Sequence, residues 1–452
     1  MNGMAYDQIL SMYNWWQRVS HAQGTSVLQY RLKNNALVSS KISATGELAA
    51  ALAQDPDRKI DITGHSLGGH LAMAFGALFA KSTGQVTAFN APGFKSTSQS
   101  AGISNVAFFK TLGGAMPTGV NTVNVIADEA SIGKAPWSAI AGLYNRPGEW
   151  VNLSIEDQSN EPLSTSLAST LFSKNHSQMV LVDALAVYKM LGQLDPQWPK
   201  GNTNAFKSLL HIASNESYRS LECLTDAMET FMGVNTQNLP VGHKQREALY
   251  QALESLQNHA VFKSLVGKLT ISANMVTPAG AKSDFAQFLS LYDLLPICVQ
   301  LADPSAKSAL LNARAEVADQ WQRHSVYASE HWLQDRSVMQ SWLIKMNNED
   351  LKDKITHQPA AMNAYYEDVI TGKRVTVGDT SVAQIRQFKF GDNQNNALIG
   401  GSLNDRLYGG LGEDTLEGLA GRDWLEGGVG LDTYKAGDGD VICDTDGKGV
   451  LI

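Results

Sequence analysis

The chain has 452 residues, enough for more than one domain around a full hydrophobic core. With 43% hydrophobic and 18% charged residues it has a globular composition, and no apolar run approaches the roughly 18 residues of a membrane-spanning helix. The net charge of -8 argues against nucleic acid as a partner, and the scattered Cys223, Cys298 and Cys443 fit neither a zinc site nor a disulfide framework.

The opening "MNGMAYDQIL" lacks the basic and apolar regions of a cleaved signal peptide. "MAYDQILSMYNWWQRV" predicts an amphipathic helix, "SVLQYRL" a strand and "ATGELAAALAQ" a helix. Then come the strand "KIDIT", the helix "SLGGHLAMAFGALFAKS" and the strands "QVTAFNAPGF" and "NTVNVIAD". The helix "QMVLVDALAVYKMLGQL" follows. Strands alternating with helices predict an α/β domain over residues 1–195. Between 196 and 385 strand signals fade, and segments such as "HKQREALYQALESLQNHAVFKSLV" predict a mostly helical region.

From 386 to 452 a third regime holds, with a period of nine: "GGSLNDRLY", "GGLGEDTLE", "GLAGRDWLE", "GGVGLDTYK". Asp405, Asp414, Asp423 and Asp432 recur in register, with Leu407, Leu416, Leu425 and Tyr434 two places later. "GDNQNNALI" is a degenerate copy carrying Asn396 in the aspartate slot, and Leu419 replaces a glycine in the third full copy. Each copy predicts a short turn followed by a short strand. Glycines permit the turn, the apolar residue fills a narrow core, and aspartate with exposed carbonyls offers hard oxygen ligands suited to Ca²⁺. Between 391 and 446 twelve acidic residues face only Arg406, Arg422 and Lys435, so the block requires cations to neutralise it.

In "DITGHSLGGHLAMAF" a strand meets Gly-x-Ser-x-Gly and then a helix. That context predicts Ser66 as a nucleophile on a tight turn, with Gly64 and Gly68 letting the backbone pass and the Leu67 N–H as oxyanion donor. The acid and base should follow in that order. Asp128 ends the strand "NTVNVIA", with Glu129 and Asp157 as competing acids. His176 precedes a helix; His65 and His70 sit too close to the turn, and His211 falls in the helical region.

These motifs resemble two families. The nine-residue period resembles the repeats-in-toxin (RTX) nonapeptide, which implies an all-β parallel β-roll with calcium between successive turns, held by Asp405, Asp414, Asp423 and Asp432. "GHSLGGHLA", "VTAFNAPGF", "VNVIADEASIG" and "NHSQMV" resemble the class 3 lipases of the α/β-hydrolase superfamily. Together they imply a secreted bacterial lipase or phospholipase A, exported by type I secretion machinery. It would cleave lipid esters through an acyl-enzyme formed by Ser66, Asp128 and His176. A catalytically weak, lipase-like binding portion of a larger RTX toxin or adhesin is the alternative. The family's early strands and second oxyanion donor would fall upstream of Met1, and "GTS" at Gly24 to Ser26 is no substitute because it follows a helix. Two explanations stay open, a chain shortened at its N-terminus or a sheet completed differently, and the expectation from either is weak activity or instability of this chain alone. "VICDTDGKGVLI", soon after the repeats, raises the same question of shortening at the other end.

Overall fold

Helix α1 (Tyr6–Ser20) buries Ile9, Leu10, Tyr13, Trp16 and Val19, apolar residues recurring every three or four positions. Strands β1 (Ser26–Lys33) and β2 (Ala36–Ser43) then pair antiparallel, Lys33 opposite Ala36. Asn34 takes a left-handed φ of 49° at the turn, which asparagine tolerates. "SVLQYRL" thus forms a hairpin and not a strand of the α/β sheet. Its partner, "ALVSSKIS", is largely exposed and its apolar residues do not alternate regularly, so no period of two betrays it in the sequence.

The computed structural model describes the chain apart from residues 1–3, 35, 56, 96–98, 101–102, 130–144, 157–175, 199–203, 215–218, 235–245, 324–327, 349–353, 356–362 and 380–383. Two compact units emerge: Met1–Val182 with Gly201–Thr203, and Asp183–Lys200 with Asn204–Ile452. In the first, after α2 (Ala49–Gln54), strand β3 (Ile60–His65) leads through α3 (Leu67–Leu78) to β4 (Thr83–Phe89). Helix α4 (Asn105–Thr111), β5 (Thr122–Glu129) and β6 (Glu149–Ile155) follow, and α5 (Gln178–Leu194) begins in this unit and continues, from Asp183, as part of the second. The sheet order is β3-β4-β5-β6, with every neighbouring pair parallel. Beneath it Ile9, Leu10 and Tyr13 of α1 pack with Ala72 and Met73 of α3, Val86 and Ala88 of β4 and Phe108 of α4. Helix α4, capped by Ser104 Oγ accepting from Ala107 N at 3.2 Å, and strand β6 add to the expected elements.

In the second unit, α6 (Asn204–Ala213), α7 (Ser220–Met232), α8 (Arg246–Asn258), α9 (Phe285–Tyr292), α10 (Ala315–Gln322) and α11 (Glu330–Asn348) make the middle of the chain predominantly helical. The antiparallel pair β7 (Leu269–Ser272) and β8 (Cys298–Leu301) interrupts it. Strands of four residues carry too few positions for periodicity to reveal them.

The repeats build two ladders, reached alternately. β11 (Arg386–Phe390), β13 (Arg406–Leu411), β15 (Trp424–Val429) and β17 (Val441–Asp444) run parallel in one. β12 (Ala397–Ile399), β14 (Thr415–Glu417), β16 (Thr433–Lys435) and β18 (Val450–Leu451) run parallel in the other. Leu398, Leu407, Leu416, Leu425 and Tyr434 fill the space between them as one buried column. The first ladder continues into β9 (Ala364–Asp368), parallel to β11, and β10 (Arg374–Val377), antiparallel to β9. The C-terminal sheet is therefore mixed and begins before the repeats.

Polar side chains dock this sheet on α11. Arg406 Nη1 donates to both Asp335 oxygens, at 3.0 and 2.8 Å, and Tyr408 Oη donates to Asp335 Oδ2 at 2.5 Å. Ser329 Oγ donates to Glu426 Oε2 at 2.6 Å. The fully buried pair Arg336–Asp368, at 2.6 Å, joins α11 to β9.

Candidate active site and carboxylate repeats

Strand β3 delivers the chain into Ser66 at φ 56°, ψ -123°, a region where a side chain costs about 1–3 kcal/mol. Neighbouring backbone fixes it there. Ser66 N donates to Phe89 O at 2.9 Å, and Ser66 O accepts from Gly69 N and His70 N at 3.1 and 3.2 Å. Leu67 opens α3, so its N–H and that of Gly68, ahead of the first bonded turn, lie beside the serine.

The glycines differ from the expected pair. A Cβ at Gly64 would run into the Gly68 carbonyl, and one at Gly69 would lie 2.6 Å from Ala91 Cβ and 2.7 Å from Gly64 O. At Gly68 a Cβ would meet nothing within 4 Å. The close passage of α3 over β3 and β4 therefore depends on Gly64 and Gly69.

His176, in the turn before α5, places Nε2 2.8 Å from Ser66 Oγ. Its carbonyl oxygen lies 2.7 Å from His65 Nε2, and the two imidazole rings are 5.0 Å apart. A carbonyl only accepts, so His65 Nε2 carries the proton. Burial chiefly holds His65 below the usual histidine range; the His176 carbonyl raises it and the His176 charge lowers it. Setting His65 aside for its closeness to the serine missed this contact, which depends on the fold returning residue 176 to the end of β3.

Asp128 stands at the carboxyl end of β5, opposite Ser154 of β6 and on the same sheet edge as Ser66, with β4 between their strands. Crevices beyond the carboxyl ends of parallel strands are where such sheets bind ligands. Glu129 pairs with Ile155 in the ladder. Its side chain and all of Asp157 lie outside the described residues. His70 is buried, stacks on Phe94 at 4.0 Å and has Nδ1 3.2 Å from Pro92 O; burial lowers its proton affinity. His211 lies on α6.

In the repeats, Asp405, Asp414, Asp423 and Asp432 are all at most 1% exposed. Each Oδ1 accepts a backbone N–H from eighteen residues earlier, as Asp414 Oδ1 does from Asn396 N at 2.7 Å. Burial is the largest cause raising the carboxyls of all four, with Asp414 pushed up to about 7 and Asp423 to about 6. Neighbouring carboxylates add to the rise: Asp432 and Asp392 at Asp414, Asp440 and Asp405 at Asp423. The Oδ2 atoms of Asp414, Asp423 and Asp432 are buried with no hydrogen-bond partner. Buried anionic oxygens without donors are costly, and oxygen-seeking Ca²⁺ fits them. At Gly409 a Cβ would strike both Asp414 Oδ2 and the Gly427 carbonyl, so these turns need glycine.

Residues 5–121 match the model of the class 3 lipase family. The stretches 390–425, 399–434 and 408–442 match the RTX calcium-binding nonapeptide repeat. Comparisons with curated proteins and with solved structures find no match.

Proposed function

We propose that this chain, which carries a class 3 lipase domain at 5–121 and RTX calcium-binding repeats at 390–442, is a secreted serine esterase acting on lipid carboxylic esters. Triacylglycerols and phospholipids are the substrate classes in view, and type I machinery is the export route that such repeats favour. The observation that carries the reading is the 2.8 Å approach of His176 Nε2 to a serine raised on a left-handed turn.

In this mechanism Ser66 Oγ attacks the ester carbonyl carbon as its proton passes to His176 Nε2. Asp128, at the same sheet edge, orients His176 and stabilises the imidazolium. The oxyanion forms at the head of α3, where the Leu67 N–H donates to it. Collapse breaks the ester C–O bond, and His176 returns its proton to the leaving alcohol. Water then gives a proton to His176 and attacks the acyl-serine, and the acid leaves as Ser66 regains its hydrogen.

Residues 1–195 act in this reading as the catalytic domain, 196–385 form a mostly helical region and 386–452 a calcium-stabilised parallel β-roll. The alternating parallel ladders support that last reading. Bound at the row of buried aspartates, calcium would supply the positive charge that their carboxylates lack.

The test is a serine-directed fluorophosphonate probe on the full chain, with hydrolysis of triglyceride emulsion and phospholipid vesicles measured beside it. Labelling lost in Ser66→Ala, with turnover of at least one lipid, supports the proposal. A folded wild-type chain that neither labels nor hydrolyses refutes it.

A further inference from the structure

The aspartate row divides into two kinds. All of its members are held alike through Oδ1: Asp405 accepts from Gln387 N at 2.7 Å, Asp423 from Asp405 N at 2.7 Å, Asp432 from Asp414 N at 2.9 Å. They differ at the second oxygen. Asp405 Oδ2 accepts from Gly401 N within its own turn. Asn396 Oδ1 does the same from Asp392 N at 2.7 Å, and Asp440 Oδ2 from Gly437 N at 2.7 Å. Those three turns stand at the ends of the stack. In the interior turns, Oδ2 of Asp414, Asp423 and Asp432 has no donor at all.

The surroundings differ as well. Strand β11 sets two cations against the 399–405 turn. Lys389 Nζ donates to Ile399 O at 2.6 Å, and Arg386 Nε donates to Asn404 O. The acid neighbours of the interior aspartates are further carboxylates: Asp392 beside Asp414, Asp440 beside Asp423, Asp444 and Asp446 beside Asp432. A buried carboxylate facing carboxylates calls for a mobile cation, whereas one closed by an N–H beside fixed cations does not.

We infer that calcium loads three interior turns, through Asp414, Asp423 and Asp432, and that the Asp405 turn, despite its complete repeat sequence, is closed by Gly401 N–H and served by Arg386 and Lys389. The chain's own side chains cap the entry to the stack, and metal fills only its middle. This assignment rests on the calcium-binding repeats and is independent of the esterase reading.

Calcium stoichiometry of the full chain, by titration calorimetry after chelator removal and by equilibrium dialysis, tests it. Three ions per chain are expected, and three again in Asp405→Asn. Asp414→Asn, Asp423→Asn and Asp432→Asn should each bind two or fewer. Where one of those variants fails to fold, the wild-type count and Asp405→Asn still decide. A wild-type count other than three, or the loss of one ion in Asp405→Asn, overturns the assignment.

Discussion

His65 Nε2–H donates to the carbonyl oxygen of His176 across 2.7 Å, so the residue beside the serine grips the backbone of the histidine that faces it. His176 is thus tied at both ends, by its ring to Ser66 Oγ and by its carbonyl to His65. One neutral hydrogen bond contributes about 1 kcal/mol. His65→Ala should therefore lower kcat about 5-fold with KM little changed, measured on a short-chain chromogenic ester. An unchanged kcat would remove His65 from the positioning of His176. Because burial depresses its folded pKa, His65 contributes stability above its ordinary value of 6.5, and that contribution is lost as pH falls through the folded value. His65→Ala should lose this part of the acid sensitivity.

Ser66 holds a conformation suited to glycine. Ser66→Gly should end turnover yet raise the unfolding midpoint, by about 1 kcal/mol once strain relief is set against glycine's extra entropy. A denaturant series on the two chains measures it. Destabilisation would show that the turn is not strained.

The glycine contrast gives a paired prediction. Gly69→Ala must displace Ala91 or the β3 backbone and should cost on the order of 1–3 kcal/mol. Gly68→Ala has open space in a helix and should be neutral or stabilising by up to about 1 kcal/mol. Thermal unfolding of both variants decides it, and equal losses would contradict the close packing of α3.

Glu229 of α7 is 2% exposed, and burial, then the charge of Asp226, pushes its carboxyl up to about 7. Its neutral form favours the folded chain, so its contribution is complete below about pH 4.5 and is lost as pH rises through about 7. The loss is on the order of 2 kcal/mol. Glu229→Gln should flatten that slope and make the chain more stable than wild type at pH 8. Urea midpoints across pH 5–8 report it; parallel slopes in the two proteins would contradict it.

Calcium removal should reach beyond the repeats, because α11 is docked on them through Asp335 and Ser329. Each ion held at a hundredfold over its Kd contributes about 2.7 kcal/mol. Chelation should lower the unfolding temperature and expose α11 to protease together with the repeat strands. Cleavage confined to the repeats would mean that α11 stands without them.

The sequence made some of this legible and hid the rest for physical reasons. The turn at Ser66 is written locally, because the strand, the glycines and the helix that shape it are contiguous. The period of nine is equally explicit, since each copy repeats the same contacts. The hairpin partner Ala36–Ser43 is hidden by its exposure and irregular apolar spacing, and β7 and β8 by their brevity. The grip of His65 on His176 spans 111 residues and has no local signature. Nor does a nine-residue motif reveal that Asp405 is closed while Asp414 is open. That depends on which strand happens to stack above the turn.

Because Leu398 stacks on Leu416 and Leu407 on Leu425, each strand's neighbour is two copies away. Up to β15 and β16 the ladders therefore count in eighteens, and only the last strand of each is paired seventeen residues on. Duplicating a pair of copies would lengthen the stack and leave every later residue on its own side. Deleting a single copy ahead of β15 would send each later strand to the opposite ladder and carry Glu426 away from Ser329. Such a protein can grow or shrink by evolution only in even steps, unless the docking of α11 is rebuilt at the same time.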